Sequence, residues 1–219
     1  MIGNLIGFVD HSRSLAVQVS LPNPKDGRAD SRILILKVPN LDDGIELPFS
    51  YTKYAAASPD GNLIAFGTPE YLNLWDIDQH KLLWKTPLNN IRHVVFSPDG
   101  QWIATATSNR KVMIWNVVEG TPRVQFTSHR SLIHDFVFSP DSQTLVTATL
   151  DQTIKFSHVA TGQELLELPH TGRVHRLEFS ADGHRLICQT RMAETPEEID
   201  EIQIFDGTPL LPEEPGGQH

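Results

Sequence analysis

The chain has 219 residues, 39% of them apolar, and a formal net charge of −9. Apolar runs are all too short for a membrane-spanning helix, which needs about 18 residues or more, and the opening MIGNLIGFVDHSRS lacks the basic start and small-residue cleavage site of a secretory signal. The acidic balance argues against non-specific nucleic-acid binding, which needs a basic surface; the single cysteine, Cys188, allows neither an internal disulfide nor a cysteine-rich metal site, which fits a reducing, cytoplasmic setting.

Taken in chain order, the predicted elements are short strands grouped into five units. The first unit opens on a strand at Asn4–Phe8, continues through GFVDHSRSLAVQVS (7–20), and reaches a third strand at Arg32–Val38 after a long connection, Leu21–Ser31. The second holds YAAASPDGNLIAFGT (54–68), a third strand at Leu72–Ile77 and a short fourth at Lys81–Lys85. The third holds HVVFSPDGQWIATAT (93–107), with strands at Trp102–Thr107 and Val112–Val117. The fourth holds DFVFSPDSQTLVTAT (135–149), with strands at Thr144–Thr149, Thr153–His158 and Gln163–Leu168. The fifth holds RLEFSADGHRLICQT (176–190), a long connection Arg191–Asp200, a strand at Ile202–Asp206 and a weak last strand at Pro209–Leu211.

The turns begin at Ser58, Ser97, Ser139 and Ser180, separated by 39, 42 and 41 residues. The fainter first unit keeps the step of seven residues from Phe8 to Leu15 that also links Phe96 to Ile103, Phe138 to Leu145 and Phe179 to Leu186. Pro and Gly in SPDG supply the fixed and the permissive backbone angles that a tight reversal needs. Short alternating strands without helical periodicity predict an all-β chain.

This compound pattern, a period of about 40 residues and the Trp75-Asp76 of LWDI, resembles the WD-repeat (beta-transducin-like) β-propeller family over nearly the whole chain. The resemblance implies a propeller of five four-stranded blades, at about 1–48, 49–87, 88–127, 128–169 and 170–211, followed by a flexible C-terminal tail at 212–219. It also implies a hydrogen-bonded set of His, Ser/Thr, Asp and Trp in each blade. No unit is complete. Unit four offers His129, Thr147 and Asp151 but has Ser157 for the Trp; unit three keeps Thr105 and Trp115 with Asn109 and Pro87 at the other two places. Unit two keeps Trp75 alone, and unit five has His170 and Phe205. These residues read as structural, and packing must carry more of each blade.

Five units are fewer than the seven usual in the family that the chain resembles, so three architectures stand open. The chain forms a small closed ring, an open arc covered by a partner or a second copy, or the C-terminal part of a longer propeller; the incomplete ring is the favoured reading. An open arc would expose the apolar faces of its terminal blades.

One pattern goes beyond the fold. Val94 and Phe96 alternate as a strand requires, yet Ile91 breaks parity; Ile133 with Phe136 and Phe138, and Val174 with Leu177 and Phe179, repeat the break. A β-bulge between them restores all to the core, and bulges re-aim side chains beside functional sites. The bulge pairs are Arg92-His93, His134-Asp135 and His175-Arg176, with Lys53-Tyr54 equivalent in unit two; Arg130, His170 and Arg173 lie in the same connections. Together Lys53, Tyr54, Arg92, His93, His134, Asp135, Arg173, His175 and Arg176 form a candidate protein-binding rim, suited to an acidic or phosphorylated peptide because Arg and Lys pair well with carboxylate and phosphate. The long connections emerge on the same face, one of them carrying the acidic Glu194, Glu197, Glu198, Asp200 and Glu201.

Nucleophile elbows, P-loops, dinucleotide fingerprints and zinc motifs are absent from the sequence. No catalytic residue, metal or cofactor is expected, and Cys188 reads as core. The expected function is therefore a non-catalytic protein-interaction scaffold, with self-association through open blade edges as a further partner mode. The rival readings are a regulatory or sensor segment of a larger signalling protein or enzyme and, less favoured, a propeller enzyme or metal-binding protein.

Overall fold

Short strands joined by tight turns pair antiparallel with their neighbours in the chain. The structure, a computed structural model, describes residues 3–9, 13–22, 29–38, 44–126, 130–170, 173–191 and 200–207. The first sheet holds β1 (Gly3–Val9), β2 (Ser14–Pro22), β3 (Ala29–Lys37) and β4 (Ile45–Glu46). The second holds β5 (Lys53–Ala57), β6 (Leu63–Gly67), β7 (Tyr71–Asp76) and β8 (Lys81–Pro87). The third holds β9 (Ile91–Phe96), β10 (Trp102–Thr107), β11 (Val112–Asn116) and β12 (Pro122–Phe126). The fourth holds β13 (Ile133–Phe138), β14 (Thr144–Thr149), β15 (Thr153–His158) and β16 (Glu164–Pro169); the fifth holds β17 (Arg173–Phe179), β18 (Arg185–Arg191) and β19 (Asp200–Asp206).

Strands follow one another in sequence order within every sheet. The ends of the expected connection Leu21–Ser31 belong to the ladder, because Ser20, Leu21 and Pro22 pair with Ser31, Asp30 and Ala29. Asp30 tolerates this burial because its carboxylate accepts from Arg32 Nε (3.0 Å) and from the Tyr51 N–H (2.6 Å). In the fifth sheet Arg191 pairs with Asp200, so the ends of the second long connection also belong to the ladder. The expected last strand Pro209–Leu211 and the tail lie outside the described residues, and the fifth sheet has three strands among those described.

The SPDG turns explain why the strands reverse where they do. In the third sheet Ser97 Oγ donates to Asp99 Oδ1 (2.5 Å) and accepts from the Trp102 N–H (2.9 Å), while Asp99 Oδ1 accepts from the Gln101 N–H (3.0 Å). The same Ser–Asp pair recurs at Ser58–Asp60, Ser139–Asp141 and Ser180–Asp182. Gly100 takes φ +70°, the left-handed conformation that costs glycine least.

Apolar cores lie between sheets, not within them. Val9, Ala16, Ile33 and Ile35 of the first sheet meet Ile64, Phe66 and Trp75 of the second. Ala65, Leu72 and Leu74 of the second meet Val94, Ile103 and Trp115 of the third. Ala104, Val112 and Ile114 meet Phe136, Phe138 and Leu145; Val146, Ala148 and Ile154 meet Val174, Leu177, Leu186 and Cys188. Each fully buried Ile or Leu contributes about 1.5–3 kcal/mol.

First strands also pack on first strands: β1 beside β5, β5 beside β9, β9 beside β13 and β13 beside β17. They are therefore the innermost strands, and the sheets radiate from them as blades. Among the described residues no strand of the fifth sheet packs along one of the first. Among the described residues the five sheets form an open arc of a propeller.

Candidate protein-binding face

Backbone hydrogen bonds sort the connections into two ends. Ser108 N–H donates to the Asn90 carbonyl (2.9 Å), Leu150 N–H to Leu132 (3.1 Å), His170 N–H to Gln152 (2.9 Å) and Leu88 N–H to Glu70 (2.9 Å). The links between blades thus lie against the turns joining second to third strands, at one end of the arc. The SPDG turns occupy the other end.

At the first end every innermost strand carries a break in register. The ladder skips Ile6 in β1, Tyr54 in β5, Arg92 in β9, His134 in β13 and His175 in β17. The physical reason is visible in the core: Ile91, Ile133 and Val174 are buried together with Val94, Phe136 and Leu177, which strict alternation forbids. Tyr54 sits at φ 47°, a strained value for a side chain of its size.

The structure draws three of the candidate residues together across blades. The His93 ring stacks on Tyr54, centroids 5.9 Å apart at 22°, and lies 5.6 Å from the Phe136 ring. His93 Nδ1 is 3.8 Å from Asp135 Oδ1, and Asp135 Oδ2 accepts from the Leu177 N–H at 2.7 Å. A row of contacts therefore runs from the second blade to the fifth. Arg176 stands apart from it, exposed and paired with Glu178 at 3.2 Å. Lys53, Arg173 and His175 hold the corresponding backbone positions in β5 and β17.

Two clefts open beside this row. One, of about 250 Å³, is lined by Tyr54, Arg92, His93, Leu132, His134 and Leu150; the other, of about 200 Å³, by Tyr54, Thr68, Asn90, Arg92 and Ser108 among others. Arg92 is exposed and borders both. Burial, and next the Arg92 charge, lower the His93 pKa, so the ring is held neutral. Burial pushes the Asp135 carboxyl up, against the opposing pull of the Leu177 and Phe136 N–H groups. The Cys188 thiol is pushed up to about 12 by burial and then by Asp135, the opposite of what a nucleophile needs. Among the described residues no group of three His, Cys, Asp or Glu side chains is placed to hold a metal ion.

The polar residues read as structural are distributed unevenly. Trp115 Nε1 donates to Thr105 Oγ1 at 2.9 Å, both groups being buried. Trp75 is also buried, but Phe66 stands where a threonine would accept, and its indole N–H has no acceptor among the described residues. Asp151 accepts from Thr149 Oγ1 and from Thr153 Oγ1 (2.7 Å), fixing the turn it belongs to. Thr147 and His170 are buried, and His129 lies outside the described residues.

Sequence reasoning passed over Asn90, Ser108, Leu132 and Leu150, which finish the clefts; the turn-forming Asn89-Asn90 pair was the available signal. It also passed over Lys155, buried in β15 with Nζ 2.9 Å from both Glu164 and Glu167. Desolvation works against that charge, but the hydrogen bonds to Glu167 and Glu164 outweigh it and raise the pKa.

With this geometry in place, the family model described as WD domain, G-beta repeat matches residues 81–116 and 120–156. These two stretches are WD repeats. Similar proteins include Periodic tryptophan protein 2 of Arabidopsis thaliana, 31% identical over 77 residues that are 33% of this chain and 9% of that protein. The small ribosomal subunit protein RACK1y of Oryza sativa subsp. japonica is 38% identical over 69 residues, 31% of this chain and 20% of that protein. A Notchless protein homolog of Arabidopsis thaliana is 44% identical over 39 residues, 18% of this chain and 8% of that protein. The chain thus spans a fifth or less of the length of these relatives. No helix among its described residues is long and apolar enough to cross a membrane.

Proposed function

We propose that this WD-repeat chain is a non-catalytic interaction module that holds another protein on its bulge-bearing face, by an acidic or phosphorylated peptide segment, and meets a second copy of itself at its open ends. The single buried cysteine suits a reducing compartment such as the cytoplasm. The observation that carries the peptide reading is Arg92: an exposed guanidinium on a bulge, between two clefts, with the half-exposed Tyr54 ring bordering both. A planar guanidinium takes carboxylate or phosphate in a two-pronged hydrogen bond, and a neighbouring aromatic supplies contact area at low entropic cost. Both groups sit on strands braced by their neighbours, so little ordering is needed on binding.

The test is fluorescence anisotropy with labelled peptides bearing a Glu pair or a phosphoserine beside an aromatic, against serine and alanine counterparts. Wild-type protein is expected to prefer the charged peptides. Arg92→Glu should weaken that binding about tenfold or more, and Tyr54→Asn, which tolerates the left-handed backbone, by a smaller factor. Equal binding of charged and uncharged peptides, or an unchanged affinity in folded Arg92→Glu, would sink the reading.

A further inference from the structure

The interface between neighbouring blades is built four times, and its two halves stand uncovered at the ends of the arc. In the third sheet Ala104, Val112 and Ile114 form the half that advances onto the fourth sheet, where Phe138 and Leu145 help receive it. Counted from the turn serines, the same advancing positions in the fifth sheet are Ile187, Ile202 and Ile204. Ile202 and Ile204 are 66% and 59% exposed. The receiving positions in the first sheet are Phe8 and Leu15, which pair across β1 and β2, with Leu36 next to Leu15 on β3. Leu5, Val17 and Leu34 form a second row in the same register, and Leu5 and Phe8 are 63% and 57% exposed.

We infer that a second copy of this chain docks head to tail, the outer face of its fifth sheet seating on the outer face of the first sheet. The contact continues an interface the molecule already makes, with aliphatic residues at the same advancing positions and Phe and Leu at the same receiving ones. Charge does not oppose it. On the fifth sheet Arg176 pairs with Glu178 and Arg185 Nε with Asp206 (3.3 Å), so these four side chains add no net charge to the face. Arg185 and Asp206 pair at the strand ends, where the third sheet has Trp102 opposite Asn116. A two-fold pairing of first sheet with first sheet would leave the isoleucines of both fifth sheets in water. A head-to-tail contact buries both ends and either closes into a ring or extends.

This deepens the self-association named above and uses surfaces away from Arg92. The experiment is light scattering coupled to size exclusion over about 1–200 µM, with peptide anisotropy run on the same samples. Wild type is expected to rise from monomer mass to twice that or more. Phe8→Asp/Leu36→Asp and Ile202→Glu/Ile204→Glu should each stay monomeric, yet an equimolar mixture should form a one-to-one complex, since each variant keeps one intact half. Val118→Asp, at a position 88% exposed in a turn, should assemble as wild type. Monomeric wild type throughout, loss of assembly from first-sheet changes alone, or failure of the folded variants to complement would overturn the inference. The milder Phe8→Ser and Ile204→Thr serve if a charged variant does not fold. Peptide affinity stays at the wild-type value in all of these variants, which separates failure here from failure of the peptide-binding reading.

Discussion

Asp135 ties two blades together at a cost. Its carboxylate accepts the Leu177 N–H from the next blade, while burial holds its pKa above the ordinary aspartate value of 3.8. A raised folded pKa means that the ionised form is disfavoured in the folded state. The protein is therefore penalised at pH values above the folded pKa, and the penalty disappears as pH falls through that value and below 3.8. Asparagine keeps an acceptor for Leu177 and carries no charge. Asp135→Asn is expected to raise the urea midpoint at pH 7 and to match wild type once the solution is acid enough to protonate the carboxyl; an unchanged or lowered midpoint at pH 7 contradicts this. The two buried tryptophans make a second comparison. Trp115→Phe strands the buried Thr105 hydroxyl, whereas Trp75→Phe removes an N–H that has no acceptor among the described residues. Trp115→Phe should cost about 1 kcal/mol more, read from denaturant unfolding of both variants. The Thr105–Trp115 pair and the solitary Trp75 were legible, because both follow from positions within the repeat. Lys155 was not: its partners Glu164 and Glu167 lie on the neighbouring strand, and only the register of β15 against β16 brings them within reach.

At the level of elements, neighbouring blades are locked by their outer strands as well as their cores. Trp84, on β8, donates through Nε1 to the Val117 carbonyl (2.7 Å), and Thr86 donates to the Gly120 carbonyl (2.9 Å). Gly120 takes φ +65° beneath the Trp84 ring, and a Cβ there would come within 2.6 Å of it. Gly120→Ala combines a left-handed backbone with a clash against a ring that is itself anchored. A loss of about 2 kcal/mol or more is expected, checked by thermal unfolding; a loss of only a few tenths would mean that Trp84 moves aside freely. Second and third strands of the later sheets were legible to within a residue or two, since Ser–Asp turn chemistry is local and repeats. The bulges of β9, β13 and β17 were legible from parity, because an extra residue lets Ile91 be buried with Val94, and the one at Tyr54 from its equivalent place; the one at Ile6 was not. The extension of the ladder through Ser20–Pro22 and Ala29–Ser31 was missed because Pro22, Pro24 and Gly27 read as loop, while the alternation that extends the ladder needs both strands to be seen at once. The clefts were missed in part for the same reason: Leu132 and Leu150 meet only through the bond between two connections.

For the whole molecule, the decisive fact is that among the described residues each interior blade has two neighbours and each terminal blade one. In an array of this kind stability is close to a sum of blade and interface contributions, so opening is cheapest at the ends. Hydrogen exchange should follow that gradient. Amides of β10 and β14, flanked on both sides by buried cores, are expected to exchange slowest. Those of β2 and β18 should exchange faster, by about tenfold for each 1.4 kcal/mol of interface they lack. Raising the protein concentration into the range where copies dock should protect β2 and β18 together and leave β10 unchanged, because head-to-tail contact supplies both missing interfaces in one event. Equal exchange in all five sheets would instead mark a single cooperative unit. Protection gained at β2 without β18 would point to first-sheet faces meeting each other. The gradient itself does not depend on association, so dilute samples test the open arc and concentrated ones test what closes it.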